Sequence, residues 1–393
     1  MKQDSYIVFG SPCIGAEEYD EVRRTLESAW IGTGPRVAKF EEAFARYIGA
    51  RHAVALNSCT ACLHLSLATA GIGPGDEVIT TPLTFAATAN AIVHVGATPI
   101  FADVDRATMN IDPARLEAAV TSRTRAVIPV HFAGRPCAMD AIGSIALKHN
   151  LLVIEDAAHC IEGRFRTAKI GTISPMTCFS FYVTKNMTTG EGGMICTNDG
   201  GLAERIKTLG LHGLSRDAWK RFSDEGYRHY EVVQPGFKYN MTDLAAALGL
   251  CQLPRLERWL HRREQIWARY DHAFSELPCR TPAPPERETV HARHLYTLLI
   301  DTEVFNGSRD WVMSELHHRG IGTGVHYRSL HLHSYYRDRF GFRCEDFPNA
   351  AWISDRTLSL PLSAKLTDQD VDRIIGEVRG VLAGRCAGQV RPS

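Results

Sequence analysis

The sequence predicts an α/β protein in two parts: a large domain over residues 1–254 on a mostly parallel sheet, and a smaller α+β domain over 255–393. Three observations carry the two-part α/β reading. Short apolar runs alternate with amphipathic stretches through the first two hundred residues, the pattern of βαβ units. Near residue 250 the texture changes to one long amphipathic stretch followed by a proline-rich segment. At 393 residues, 45% hydrophobic and 22% charged, the chain can build more than one core.

Taken in order, the strand-like runs are Ala53–Leu56, Val78–Thr81, Ala126–Val130, Leu151–Ile154 and Cys178–Phe181. Helical patterns lie between them, at Ala61–Ala70, Ala86–Val95, Pro113–Val120 and Asp140–His149. The third opens on Asp112 as N-cap with Pro113 at the first helical position. In parallel sheets of this kind ligands collect at the carboxyl ends of the strands. From Leu253 to Phe274 the apolar positions Leu256, Trp259, Leu260, Ile266, Tyr270 and Phe274 follow helical spacing. Pro278–Glu286, with four prolines, reads as a loop, and Leu295–Ile300 as a strand. Thr367 with Asp370 forms a capping box ahead of Val371, Ile374, Ile375 and Val378, a terminal helix.

Composition removes several classes of function. Lys plus Arg and Asp plus Glu each number 44, so the basic excess of a nucleic-acid binder is missing. The least charged stretch, Phe85–Ala102, contains Asn90, His94, Gly96 and Pro99 and is a poor membrane span. Met1–Asp4 leads into no apolar run, so no secretory signal is expected. Eleven cysteines without framework spacing suggest reduced thiols and a cytoplasmic location.

The chemistry concentrates in three places. Asp156, in Ile154-Glu155-Asp156-Ala157-Ala158-His159, stands just past a buried strand. Lys185 follows the next strand in Ser180-Phe181-Tyr182-Val183-Thr184-Lys185-Asn186, ahead of the turn Thr188–Gly193. Asn57-Ser58-Cys59-Thr60-Ala61 joins the strand Ala53–Leu56 to a helix, whose free N–H groups and dipole favour an anion. Singly, these read as a solvated carboxylate, a surface lysine and an N-cap serine. Together they supply what pyridoxal 5′-phosphate requires: an amine for a Schiff base, a carboxylate for the ring nitrogen, and a phosphate site.

With these motifs, and with Trp30–Pro35, Gly236–Asp243 and Ser359–Leu362, the chain resembles the DegT-type sugar aminotransferases over nearly its whole length. That family has an aspartate-aminotransferase-like fold and uses pyridoxal phosphate to aminate keto sugars bound to nucleotides. The resemblance implies Lys185 as the Schiff-base amine and Asp156 at the pyridine nitrogen. His159 would lie near the ring hydroxyl, and Phe85 would stack on the ring. Ser58, Thr60, Ala61 and Ser180 would line the phosphate site. It implies a homodimer with shared sites, in which Asn240 reaches the neighbouring subunit's phosphate. An amino-acid donor, L-glutamate, would leave the pyridoxamine form, which passes its amine to the sugar. Two positions depart from the family pattern: Tyr182 stands where relatives more often carry His, and Cys59 where they often carry Gly. Tyr182, Glu191 and His326 are the candidate substrate contacts. The likeness of Gly322–Tyr327 to the 4-aminoarabinose enzymes favours amination at C4 over C3 or a cyclitol ketone.

Other motifs offer competing readings. Cys59-Thr60-Ala61-Cys62 is formally a redox C-x-x-C, but it falls in the phosphate turn. His326, His331 and His333 suggest a metal, yet no further ligand cluster lies nearby in sequence, so no metal is expected. The family's dehydratases carry His where Lys185 stands, which favours transamination. A non-enzymatic pyridoxal-phosphate-binding regulator is the alternative from another class.

Overall fold

The computed structural model describes residues 6–215 and 231–386, with side chains described through 383. Met1–Asp4, on which the reading of the N-terminus rests, lies outside the described residues.

The first half of the chain supplies β1 (His52–Leu56), β2 (Glu77–Thr80), β3 (Thr98–Phe101), β4 (Thr124–Ile128), β5 (Leu152–Asp156), β6 (Arg164–Phe165), β7 (Ala168–Lys169), β8 (Met176–Ser180) and β9 (Gly193–Thr197). Seven of them form one sheet in the order β1-β9-β8-β5-β4-β2-β3, while β6 and β7 make a small separate hairpin. From β8 to β3 all neighbours are parallel. Only β9 is reversed, antiparallel to both β1 and β8. Six strands therefore end at the same edge. Their near-continuous apolar runs follow from burial on both faces.

All five strand-like runs form strands of this sheet, and all four helical patterns form helices, with bounds within two residues. Asp112 caps its helix as expected, its carboxylate accepting the N–H of Ala114 at 2.8 Å. Two strands of the seven-stranded sheet escaped the sequence reading, each for a local reason. Thr98-Pro99-Ile100-Phe101 carries a proline, which a sheet tolerates at its edge, and β3 is an edge strand. β9 opens on Gly193 inside the glycine-rich turn, where only a residue without Cβ fits. A Cβ there would lie 2.6–2.7 Å from the backbone of Ser58 and Cys59 and from Cys62 Sγ.

A second core gathers Ile266, Tyr270 and Phe274 of the helix Leu256–Phe274 with Tyr296, Leu298, Val312, Ile374 and Val378. It packs on a small antiparallel sheet of β10 (Cys279–Arg280), β11 (Tyr296–Ile300) and β12 (Thr357–Leu360). β10 corrects the expectation that Pro278–Glu286 is loop throughout: Cys279 and Arg280 pair with Ile300 and Leu299 before the prolines end the strand. The terminal helix Asp368–Cys386 opens on the expected box. Thr367 Oγ1 accepts the N–H of Asp370 at 3.1 Å, and the Asp370 carboxylate accepts the N–H of Thr367 at 2.9 Å.

The start of the chain joins this second core too. Ile7 donates its N–H to the carbonyl of Gly320 and accepts that of Gly322, both at 2.8 Å, and its side chain is buried there. The division at residue 254 stands as a proposal on the change of texture. Among the described residues no helix is long and apolar enough to cross a membrane. The cysteines from Cys13 to Cys344 are free thiols.

Candidate active site

The common edge of the sheet is where three loops deliver polar groups into one cavity of about 450 Å³. The turn after β1 contributes Ser58, Cys59 and Thr60. The end of β5 contributes Asp156 and then His159, and the loop after β8 contributes Ser180, Tyr182, Thr184 and Lys185. Phe85, Glu191, His326 and Tyr327 complete the wall. The reversed strand β9 makes this convergence possible, since its glycine pair starts at the edge where β1 and β8 end.

Among the described residues, Lys185 is the only lysine or arginine on this wall. Burial lowers its ammonium to about 8, with Cys59 and Asp156 pulling weakly the other way. Its own N–H is tied to the carbonyl of Tyr182 at 2.9 Å, which fixes the turn that carries it. Asp156 is 5% exposed, and its carboxylate takes two bonds, from the Thr88 hydroxyl at 2.8 Å and the Ala158 N–H at 3.1 Å. Burial raises its pKa, the two hydrogen bonds and the Lys185 cation opposing. Thr88 is itself backed by Thr84 at 2.9 Å.

His159 accepts the N–H of Ala133 on Nδ1 at 3.3 Å and meets the hydroxyl of Tyr327 through Nε2 at 3.1 Å. Burial, then the nearby Lys185, holds the imidazole well below its ordinary pKa, so it is neutral. Ser58 is the N-cap of the helix Cys59–Thr69, its hydroxyl accepting the N–H of Ala61 at 3.1 Å. That bond engages Ala61, which is buried. The first N–H groups of the helix, at Cys59 and Thr60, have no intrahelical acceptor and are the ones open to an anion. Ser180 ends β8, on the far side of β9 from β1, its hydroxyl 3.4 Å from the N–H of Tyr182.

The candidate substrate residues all reach this cavity. Tyr182 and Glu191 are exposed at its rim. Phe85 is 62% exposed, with its ring 6.1 Å from that of Tyr327. His326 bonds Ser359 Oγ through Nδ1 at 2.8 Å and stacks on Phe9 at 5.3 Å. Burial and then Lys185 depress its pKa to about 3. Asn240 and the buried Ala61 are the expected site residues that do not line this cavity, and Asn240 stands well apart. It donates to Thr33 Oγ1 and lines a second cavity, of about 510 Å³, with Trp30, Gly34 and Lys207. The motifs Trp30–Pro35 and Gly236–Asp243 meet here. The buried Asp243 accepts the N–H groups of Gly34 and Val37, both at 2.9 Å, and so caps the helix Pro35–Ile48.

Several residues at the site were not singled out from sequence. Thr88 and Tyr327 lay inside quoted segments, but nothing local shows that one bonds Asp156 and the other His159. The competing readings lose ground. Burial raises the Cys59 and Cys62 thiols well above their ordinary pKa, the reverse of a reactive C-x-x-C. His331 packs against Phe347 at 5.0 Å and His333 bonds the carbonyl of Arg328 at 3.2 Å. No group of three metal-ligating side chains occurs among the described residues.

One cavity thus holds an amine of depressed pKa, a buried carboxylate and a helix N-terminus, the set that a phosphorylated pyridine aldehyde requires. The residues fit the group.

The model of the DegT/DnrJ/EryC1/StrS aminotransferase family matches residues 12–379. The spore coat polysaccharide biosynthesis protein SpsC of Bacillus subtilis is 51% identical over 385 residues, 98% of this chain and 99% of that protein. Spr1654 of Streptococcus pneumoniae, assigned as a sugar aminotransferase, has been solved in its PLP form. It superposes with a TM-score of 0.89 at 33% identity, covering 96% of this chain and 99% of its own. Its PMP form superposes equally well. Helicobacter pylori PseC, an aminotransferase involved in the biosynthesis of pseudoaminic acid, gives 0.89 at 30% identity, over 96% of this chain and all of its own.

Proposed function

The chain belongs to the DegT/DnrJ/EryC1/StrS aminotransferase family and is a pyridoxal-phosphate-dependent aminotransferase of the aspartate-aminotransferase-like fold; from that premise we propose that it moves an amino group from L-glutamate to C4 of a keto sugar carried on a nucleotide. The observation that carries the assignment of roles is Lys185, an amine lowered to about 8 in the same cavity as the buried Asp156.

When bound, pyridoxal phosphate supplies an aldehyde that exchanges between amines and a ring that spreads carbanion charge. The chain's residues do the rest. Lys185, lowered to about 8, has a neutral fraction near physiological pH and would be the amine that holds the cofactor. The same amine would carry a proton to and from the substrate carbon as base and then acid. Asp156 would hold a proton on the ring nitrogen, and Thr88 and the Ala158 N–H orient the carboxylate for that task. The N–H groups of Cys59 and Thr60, with Ser58 and Ser180, would hold the phosphate. His159 would stand by the ring hydroxyl, and Phe85 would cover the ring face against water.

Several features support the acceptor class. Tyr182 and Glu191 at the rim, and His326 deeper on the wall, can hydrogen-bond sugar hydroxyls. SpsC serves polysaccharide biosynthesis and PseC the biosynthesis of pseudoaminic acid, which makes a sugar acceptor the natural reading here. The preference for C4 rests on Gly322–Tyr327. Asn240 lies outside its own chain's Lys185 cavity, as expected if it serves a neighbouring subunit. Trp30 and Ile31, about half exposed beside it, would be covered in a homodimer. A cytoplasmic location is proposed on the many unpaired thiols.

The test is an amine-transfer assay with L-glutamate against nucleotide-linked 3-keto and 4-keto sugars and a cyclitol ketone, with mass spectrometry of the products. Amination of 4-keto sugars alone is the expected result. Turnover confined to a 3-keto sugar or the cyclitol would overturn the acceptor assignment.

A further inference from the structure

Asn186, next to Lys185, is the hub of a buried cluster drawn from four segments. Its Nδ2 donates to Glu162 Oε2 at 2.7 Å and to the carbonyl of Ala292 at 3.0 Å, and its Oδ1 meets His294 Nδ1 at 2.9 Å. Glu162 also pairs with Arg263 of the long helix, and both side chains are almost wholly buried. With two acceptors facing its nitrogen, the Asn186 amide has one orientation, so its oxygen faces His294 and His294 carries its proton on Nδ1.

The His294 ring lies 4.5 Å from that of His159, at 37°. His159 accepts on Nδ1, so its own proton is on Nε2 and goes to Tyr327. Neither Asn186 nor His294 is on the wall of the active-site cavity. With Arg263 they border a separate space of about 40 Å³, which Lys185 also borders.

We propose that Asn186 and His294 are positioning residues, which through the bond from His294 Nδ1 to Asn186 Oδ1 hold the Lys185 loop and the His159 ring in one fixed relation and keep the lysine amine in its half-buried place on the cavity wall. The proposal rests on the reading that Lys185 carries the cofactor. Its physical basis is the cost of the alternative: without the His294 donor, Asn186 Oδ1 is a part-buried acceptor left without its protein partner. The cheapest relief is movement of the loop, which would bring water to Lys185. The groups acting electrostatically on Lys185 are Asp156 and Cys59, with the neutral His159, His294 and His326 nearby. His294 is influenced by Lys185, His326, Arg263 and His291. In water the amine would return from about 8 toward the ordinary lysine value.

Asparagine places its amide where histidine has Nδ1, and glutamine where it has Nε2. His294→Asn therefore keeps the donor to Asn186 and His294→Gln loses it. The experiment uses the full chain freed of cofactor. It follows modification of Lys185 by cyanate across pH, read from the Lys185 peptide by mass spectrometry, with thermal melting alongside. The wild type should show a midpoint of about 8. His294→Asn should stay within about 0.3 units of it, and His294→Gln should rise by about a unit or more, a tenfold loss of neutral amine at pH 7. Equal midpoints in all three proteins, or equal shifts in both variants, would overturn the proposal even if both melt early. Should His294→Gln not fold, Asn186→Ser deletes the acceptor and takes its place. Borohydride fixation on the wild-type holoenzyme tests the underlying reading separately. A label away from Lys185 would end that reading, and the midpoints would still decide whether the cluster positions the lysine.

Discussion

Replacing Asp156 by Asn separates the two things a buried carboxylate can do. In the cofactor-free chain burial raises its pKa. A raised carboxyl adds stability below its unfolded pKa and loses it as pH rises through the folded value. At neutral pH its ionised form therefore costs stability. Asn removes that charge without orphaning a partner. Its oxygen can accept the Ala158 N–H, and its nitrogen can donate to Thr88, whose hydroxyl then turns to Thr84, 2.9 Å away. Cofactor-free Asp156→Asn should melt no lower than the wild type. Turnover should move the other way, because a neutral amide cannot hold a proton on the ring nitrogen. Removing such an electrostatic partner costs roughly 2 kcal/mol or more of transition-state stabilisation, about a thirtyfold loss of rate. The assay is single-turnover conversion with L-glutamate, followed by loss of the yellow absorbance, beside thermal unfolding of the cofactor-free proteins. Turnover within about threefold of wild type in a folded variant would refute the role of Asp156. A melting point several degrees lower would refute the claim that the ionised carboxylate is a burden on the fold.

Borohydride should fix the cofactor to the Lys185 peptide, and Lys185→Ala should not sustain turnover. Lys169 is the informative control, since burial lowers it to about 8 as well, yet it lies over the Tyr47 ring and beside Glu257; a label there would show that a depressed pKa alone misled the assignment. Cofactor uptake by the cofactor-free chain, followed by its yellow colour, should rise with pH to a half-maximum near 8, since only the neutral amine attacks. A midpoint above about 9.5 would mean that Lys185 is solvated. Gly193→Ala would press a methyl into Ser58, Cys59 and Cys62, so cofactor affinity should fall as the phosphate turn shifts; unchanged affinity in a titration would mean that the turn tolerates displacement. Finally, Lys185→Ala and Asn240→Asp should each be inactive, but after subunit exchange about a quarter of all sites should recover if sites are shared across an isologous dimer. No recovery despite proven exchange would refute the shared site.

What the sequence alone determined are the features that repeat locally. Alternation of apolar runs with amphipathic stretches gave five strands and four helices, because burial on both faces of a parallel sheet leaves an apolar run that can be read without knowing its neighbours. The carboxylate, the amine and the phosphate turn were legible too, since each lies at or shortly beyond the end of a strand, although Asp156, expected just past its strand, is the last residue of β5; the resemblance gave them roles. The tertiary structure decided what depends on partners far along the chain. β3 keeps its proline because it lies at the sheet edge, and β9 can start inside the glycine-rich turn because Gly193 has no Cβ to press on Ser58 and Cys59. Thr88 belongs to the site only because the sheet brings its helix to Asp156, 68 residues away. His294 is at Lys185's back only because the second core folds the chain onto the first, placing it against Asn186 from 108 residues away. Propensity and periodicity act over a few residues, whereas a hydrogen bond between distant segments leaves no trace in either one.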